Sequence, residues 1–273
     1  MQLAGANAIV TGASRGIGTY IARHLASRGV SLALAARSAE DLDRTVAEVS
    51  AAGVRAVAIP TDVSRQEDLE SLVEKATAEL GPIDVLINNA GVERYADLVD
   101  ADPELIEKIM RVNFLAPANL SRLVLPSMIG RRRGHIVNIA SVAGKTAVPF
   151  NTIYSSSKHA LVGLSWSLRE EVARHNVGVS VVCPGFVSEA GMFADWSHGR
   201  KPPGLTRSVP PDRVAEATIK AIESNKAEII VATGITKVVD VFHALSPRLT
   251  TTMARRSGAY RFLASAKESS FHD

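Results

Sequence analysis

Tyr154 and Lys158, in the stretch Tyr154-Ser155-Ser156-Ser157-Lys158, are the residues whose types and spacing suggest chemistry. One helical turn separates them, so phenol and ammonium leave the same face of a helix. A nearby ammonium favours phenolate and lowers the tyrosine pKa towards the range where protons exchange near neutral pH. That is the proton chemistry needed to turn a carbonyl into an alcohol, or the reverse. Alone the pair is weak, because a packed tyrosine and a solvated lysine share a face on many helices. Its weight depends on the elements that position it.

Those elements alternate. Strand-length apolar runs rich in Val and Ile occur at Ala6–Thr11, Ser31–Ala35, Arg55–Ile59, Val85–Asn88, His135–Ile139, Val177–Cys183 and Glu228–Val231. Their nearly continuous hydrophobicity predicts parallel strands covered on both faces. Helical periodicity fills the intervals at Ala39–Ala52, Arg65–Leu80, Pro103–Gly130, Thr152–His175 and Pro211–Ser224, with Gly29, Gly53 and Gly81 placed as helix stops. Repeated β-α-β units with right-handed crossovers predict an α/β, doubly wound, seven-stranded parallel sheet that binds ligands at the carboxyl ends of its strands.

Composition agrees. With 273 residues, 46% hydrophobic and 22% charged, the chain suits one large domain over residues 1–234. Residues 235–273 extend it. Cys183 is the only cysteine, which leaves no intrachain disulfide and no cysteine metal cluster, so no metal site is expected and a reducing cytoplasm is the natural setting. From Lys237 onward six basic residues face three acidic ones, so the net charge of +3 sits in the extension. No basic stripe with interleaved aromatics is present, which argues against nucleic acid as a partner. Arg131-Arg132-Arg133 reads as a solvated helix end favoured by the macrodipole.

The first strand runs into Thr11-Gly12-Ala13-Ser14-Arg15-Gly16-Ile17-Gly18. Glycines let a backbone turn tightly and approach a pyrophosphate, whose charge meets the N-terminus of the helix beginning near Ile17. The spacing is G-x-x-x-G-x-G rather than the common G-x-G-x-x-G. At the end of the second strand an NAD site would place a carboxylate, whereas here the sequence reads Ala35-Ala36-Arg37-Ser38. Arg37 and Arg15, with the Ser14 and Ser38 hydroxyls, favour a 2′-phosphate and hence NADP(H). Either arginine singly reads equally well as an exposed surface residue.

Taken in order, Thr11–Gly18, Asp62, Asn88-Asn89-Ala90-Gly91, Asn113, Ser141, Tyr154 with Lys158, and Pro184-Gly185 make the chain resemble the classical short-chain dehydrogenases/reductases over residues 3 to about 233. The resemblance implies a Rossmann fold and an NADP(H)-dependent oxidoreductase acting on a ketone, aldehyde or secondary alcohol. It makes Tyr154 the proton donor or acceptor and Ser141 the hydrogen-bond partner of the substrate carbonyl. Lys158 would lower the tyrosine pKa and bind the nicotinamide ribose, and Asn113 would hold a water linking Lys158 to solvent. It also implies that Asp62 and Val63 meet the adenine, that Asn89, Ala90 and Gly91 line the cofactor cleft, and that Pro184, Gly185 and Val187 pack on the nicotinamide. Each has a plainer alternative: Ser141 as a strand-end cap, Asn113 as satisfier of backbone groups at a helix distortion. An NAD-preferring alcohol dehydrogenase of the same family is the nearest alternative. A non-catalytic, NADPH-binding or membrane-associated scaffold is another, but it would not need the Asn113, Ser141, Tyr154 and Lys158 set.

One departure stands at Glu189, where such enzymes often carry threonine. A carboxylate near a pyrophosphate is unfavourable, so Glu189 is expected to point away and Ser188 to serve as hydroxyl donor to the carboxamide. Residues 186–209 form a long loop expected to cover substrate, with Met192, Phe193 and Trp196 as an apolar wall for a lipid-, steroid- or aromatic-like compound. In the extension, Ile235, Val238, Val239, Phe242, Leu245 and Leu249 make an apolar helical stripe before a weaker one of Met253, Tyr260 and Leu263. These helices dock on the body or on a second subunit, or else form a peripheral membrane anchor. Similar enzymes pair through the helices carrying Asn113 and Tyr154, which implies a homodimer or homotetramer.

Overall fold

The computed structural model describes residues 1–202, 207–233, 246–256 and 258–269. Seven parallel strands form one sheet: β1 (Asn7–Thr11), β2 (Ser31–Ala36), β3 (Ala56–Pro60), β4 (Val85–Asn88), β5 (Gly134–Ile139), β6 (Val177–Pro184) and β7 (Glu228–Val231), in the order β3-β2-β1-β4-β5-β6-β7. Winding runs one way from β1 and the other way from β4. The crevice between their carboxyl ends is therefore where a ligand fits an open α/β sheet.

Every residue of β4, β5 and β6 is buried, which explains their nearly continuous apolar character. Side chains alternate between faces. Val10, Leu32 and Leu34 pack towards α1 (Ile17–Ala26), α2 (Ala39–Ser50) and α8 (Pro211–Glu223), through Ile21, Leu25, Leu42 and Ile222. Ile9, Ala33 and Leu86 pack oppositely on α3 (Gln66–Leu80), α5 (Ala116–Arg131) and α6 (Thr152–Val172), through Leu69, Leu72, Leu120 and Leu168. Across β4 and β5, Asn88 Nδ2 donates to Asn138 Oδ1 at 2.8 Å, and Asn138 Nδ2 to Ser165 Oγ at 2.9 Å. These buried amides fix α6, the helix of Tyr154, to the sheet.

The helix expected as one element over Pro103–Gly130 is three. After α4 (Pro103–Met110) comes a single π turn, Arg111–Leu115, and then α5. The Ala116 amide donates to the Arg111 carbonyl five residues back, and Pro117, which follows, has no N–H to offer the Asn113 carbonyl. The arginine cluster is also more than a solvated end. Arg131 Nη1 and Arg133 Nε donate to Asp84 Oδ1 at 2.6 and 3.1 Å, while Arg132 takes the left-handed C-cap conformation. Asp84, buried just before β4, ties the C-terminus of α5 to the strand that leads to the site.

Helices Pro247–Arg256 and Ala259–Ser269 follow β7. The predicted stripe at Ile235, Val238, Val239, Phe242 and Leu245 lies outside the described residues, as do the side chains of Leu249 and Met253. Among the described residues no helix is long and apolar enough to cross a membrane. Replacing Asp84 by alanine strands two guanidinium groups and is expected to lower unfolding free energy by about 2 kcal/mol, read as a fall in denaturant midpoint at unchanged slope.

Candidate active site

The crevice begins at the glycine turn. Gly12 and Gly16 both have φ near +65°, a region that L side chains resist. A Cβ on Gly18 would lie 2.1 Å from the Gly12 carbonyl oxygen, and one on Gly12 would lie 2.9 Å from Ala90 Cα. The turn thus presses against the end of β4. Thr11 joins them: its Oγ1 accepts from the Asn89 and Ala90 amides at 3.0 and 3.1 Å, while Asn89 Nδ2 donates to the Thr11 and Gly12 carbonyls. Backbone this close, with a helix N-terminus behind it, is a cradle for a pyrophosphate.

A cavity of about 750 Å³ runs from this turn across the sheet's carboxyl edge. Gly12, Ser14, Arg15, Gly16 and Ile17 line its first part, Arg37 and Ser38 the end of β2, and Asp62 and Val63 the end of β3. Asn89, Ala90 and Gly91 line it after β4, and Pro184, Gly185 and Val187 after β6. Gly18 lies behind the lining. Ser38 also caps α2 by accepting from the Asp41 amide, and Asp62 accepts from Ser64. Burial pushes the Asp62 carboxyl up, but the two Ser64 bonds, helped by the Arg37 charge, outweigh it and hold the group below its usual range.

Ser141, Tyr154 and Lys158 meet in the deeper part. Lys158 is buried, and its Nζ donates to the Ile139 carbonyl at 3.0 Å, 5.6 Å from the Tyr154 ring centroid. Burial pushes its pKa down to about 8. The expected lowering of the tyrosine pKa is not what the geometry gives. Burial, followed by the negative field of Glu93, drives the phenol well above its ordinary value, against a smaller opposing pull from the Ser141 hydroxyl. Desolvation wins because the ammonium is engaged at Ile139 rather than bonded to the phenol.

Asn113 does not line the cavity. It is fully buried in the π turn, where Nδ2 donates to the Val92 carbonyl and to Ser157 Oγ while Oδ1 accepts from the Val92 amide. Ser188 is also diverted: its amide and hydroxyl both donate to the Val209 carbonyl, and it is absent from the lining. Glu189 lies at the exposed rim of the cavity. A left-handed backbone at φ 65°, closed by the Ala190 amide on the Ser188 carbonyl, turns it there.

The short chain dehydrogenase family model matches residues 6–201. The chain belongs to the short-chain dehydrogenase family. It is 41% identical to the ketoacyl reductase HetN of Nostoc sp., over 95% of this chain and 92% of that protein. A solved variant of the actinorhodin polyketide ketoreductase with NADPH superposes with a TM-score of 0.77 at 33% identity, covering 85% of this chain and 96% of the other. A Burkholderia phymatum short-chain dehydrogenase/reductase in complex with NAD superposes at 0.76 and 32% identity, over 84% and 90%. Membership makes the chain an oxidoreductase of the nicotinamide-cofactor class.

This short-chain dehydrogenase brings further residues to the site that its sequence did not single out. Glu93 and Tyr95 reach the cavity from the loop after β4, and Asn151 from just before α6. Asn151 Nδ2 donates to Glu93 Oε2 at 3.2 Å. Burial raises the Glu93 carboxyl to about 7, against the pull of Asn151 and of the Lys158 charge. Proximity to Gly91 and to Tyr154 in sequence was the available signal, but loop conformation has no period from which to read direction.

Phe186, Met192, Phe193 and Trp196 do form an apolar wall, carried by α7 (Met192–Ser197) and the segment before it. Trp196 meets Tyr95 edge-on at 5.3 Å, and Phe186 lies 4.6 Å from Phe193. Behind the wall sits the terminal helix of this short-chain dehydrogenase. Phe262, Leu263 and Ala266 pack into the same cluster, Lys267 pairs with Asp97, and Arg200 donates to Ser265 Oγ. Of the two readings of the extension, the described part docks on the body.

A carboxyl raised to about 7 from 4.5 holds its proton more tightly folded than unfolded, so it destabilises progressively as pH rises from 4.5 to 7. Glu93→Gln removes that dependence. Its melting temperature is expected to match wild type at about pH 5 and to exceed it increasingly towards about pH 8. An offset independent of pH in scanning calorimetry would contradict the assignment.

Proposed function

We propose that this chain is an NADP(H)-dependent oxidoreductase that exchanges hydride between the nicotinamide and an apolar ketone, aldehyde or secondary alcohol, with Tyr154 as general acid and base. The observation that carries the reading is the meeting of the Tyr154 phenol, the Ser141 hydroxyl and the Lys158 ammonium in a cavity continuous with the glycine turn. The bound nicotinamide supplies or receives the hydride. The residues do the rest. Ser141 donates a hydrogen bond to the carbonyl oxygen as negative charge gathers there. Tyr154 gives that oxygen its proton, and takes it back in the reverse direction. The phenol is in its protonated form at neutral pH, the form in which it can give a proton to the carbonyl oxygen. Lys158 stands beside it as the charge that eases loss of the proton. The ketoacyl and polyketide ketoreductase relatives support a ketone as the reducible group.

NADP(H) is favoured by Arg37 at the cavity rim and by the absence of a carboxylate at the end of β2. One observation favours NAD as a second reading: the other expected cation, Arg15, lies 3.9 Å from Asp195 of α7.

Tyr154→Phe is expected to lower NADPH-dependent ketone reduction by about 10²–10⁴-fold while NADPH binding, followed by fluorescence, persists. Arg37→Ala is expected to weaken NADPH binding by at least about tenfold and NADH binding far less. Equal loss for both cofactors would defeat the NADP(H) assignment.

A further inference from the structure

The aromatic wall of the cavity carries a buried polar cluster. There Glu93 accepts from Asn151 Nδ2 at 3.2 Å, the Trp196 indole stands close to Glu93 and the Tyr95 hydroxyl close to Asn151, yet neither Trp196 Nε1 nor Asn151 Oδ1 closes a hydrogen bond. Asn151 is 2% exposed and Trp196 7%, so solvent does not relieve them. The indole N–H acts on the Glu93 carboxylate from α7, as does the opposing negative charge of Asp195. Lys158 acts on it from α6, and Glu93 in turn acts on Tyr154. A carboxylate set into an aromatic wall is unfavourable unless something meets it, and unpaired buried donors and acceptors are uncommon in folded proteins.

What would meet this set must both donate and accept. An ammonium satisfies the acceptors and leaves the indole N–H unpaired. A carbonyl satisfies the indole but brings no donor to Asn151 Oδ1. A hydroxyl does both, donating to Glu93 or Asn151 Oδ1 and accepting from Trp196. We infer that Glu93, Asn151 and Trp196 form a recognition pocket for a hydroxyl group carried by the substrate apart from its reacting carbonyl, so that the substrate is a hydroxylated ketone and, in reverse, a diol. This rests on the reading of the cavity as a site of carbonyl reduction and narrows the apolar substrate to one with a single distal polar group. Glu93 is thereby a specificity residue. It exchanges no proton with the reacting oxygen.

The test is a matched panel of 2-, 3- and 4-hydroxycyclohexanone and hydroxylated decalones, each beside its unhydroxylated parent, reduced with NADPH. Wild type is expected to favour at least one hydroxylated member by about tenfold or more in kcat/KM, mainly through KM, because a site built to bond a hydroxyl rejects the analogue without it. In Glu93→Leu the ratio is expected to fall towards unity, and Trp196→Phe, which keeps an aromatic ring and removes the N–H, to lower it in part. Glu93→Met keeps the side-chain length, removes the acceptor and serves if the leucine variant does not fold. A wild-type enzyme indifferent to the hydroxyl, or a ratio unchanged in the Glu93 variants, overturns the inference. If no ketone is reduced, the catalytic reading fails separately. The pocket is then read by calorimetry with cyclohexanediols against cyclohexanol: tighter diol binding lost in Glu93→Leu sustains it, and equal affinities overturn it.

Discussion

The site depends on one buried side chain that never enters it. Asn113 satisfies both backbone groups of Val92 and also bonds Ser157, one turn beyond Tyr154. Three elements meet in those bonds: the π turn, the loop after β4, and α6. Ser157 passes the connection on, donating to the Tyr154 carbonyl at 2.7 Å. The side chains of Lys158 and Glu93 therefore leave from segments whose separation is fixed by a single amide. Asn113 makes these bonds from within the π turn, where the Ala116 amide reaches back to the Arg111 carbonyl.

Burial sets the electrostatics. Tyr154, Lys158 and Glu93 share a space poor in water, and each is displaced towards its neutral form. Reasoning from the helix face alone gave the tyrosine and lysine a simple relation, in which one charge lowers the other's pKa. The enclosing wall reverses the sign for the phenol, since the cost of creating phenolate there exceeds the help available from an ammonium turned to Ile139. A carboxyl close to neutrality then adds a third coupled group.

Much of this was legible in the sequence. The strands were readable because β4, β5 and β6 are buried throughout, so residue type and position coincide. The glycine turn was readable because Gly12, Gly16 and Gly18 are each demanded by a close contact or a backbone angle that a side chain would not survive. Of the residues expected to line the cavity, Ser141, Tyr154, Lys158 and the ends of β1 to β4 and β6 do so. Periodicity failed where it carries no information. It could not show the extra residue of the π turn, because an inserted residue shifts phase without changing residue type. It could not aim Glu93, Tyr95 or Asn151, which lie in loops, nor foresee that Val209 would occupy Ser188.

The aromatic wall draws on residues far apart in the chain: Tyr95 after β4, Phe193 and Trp196 on α7, and Phe262 and Leu263 on the terminal helix. Because the ribosome releases the chain from its N-terminus, the nucleotide cradle and the helix of Tyr154 emerge before the support behind α7 exists. For that interval the nascent protein presents indole and phenyl faces to its surroundings. The helix Ala259–Ser269 is thus also the piece that ends this exposure.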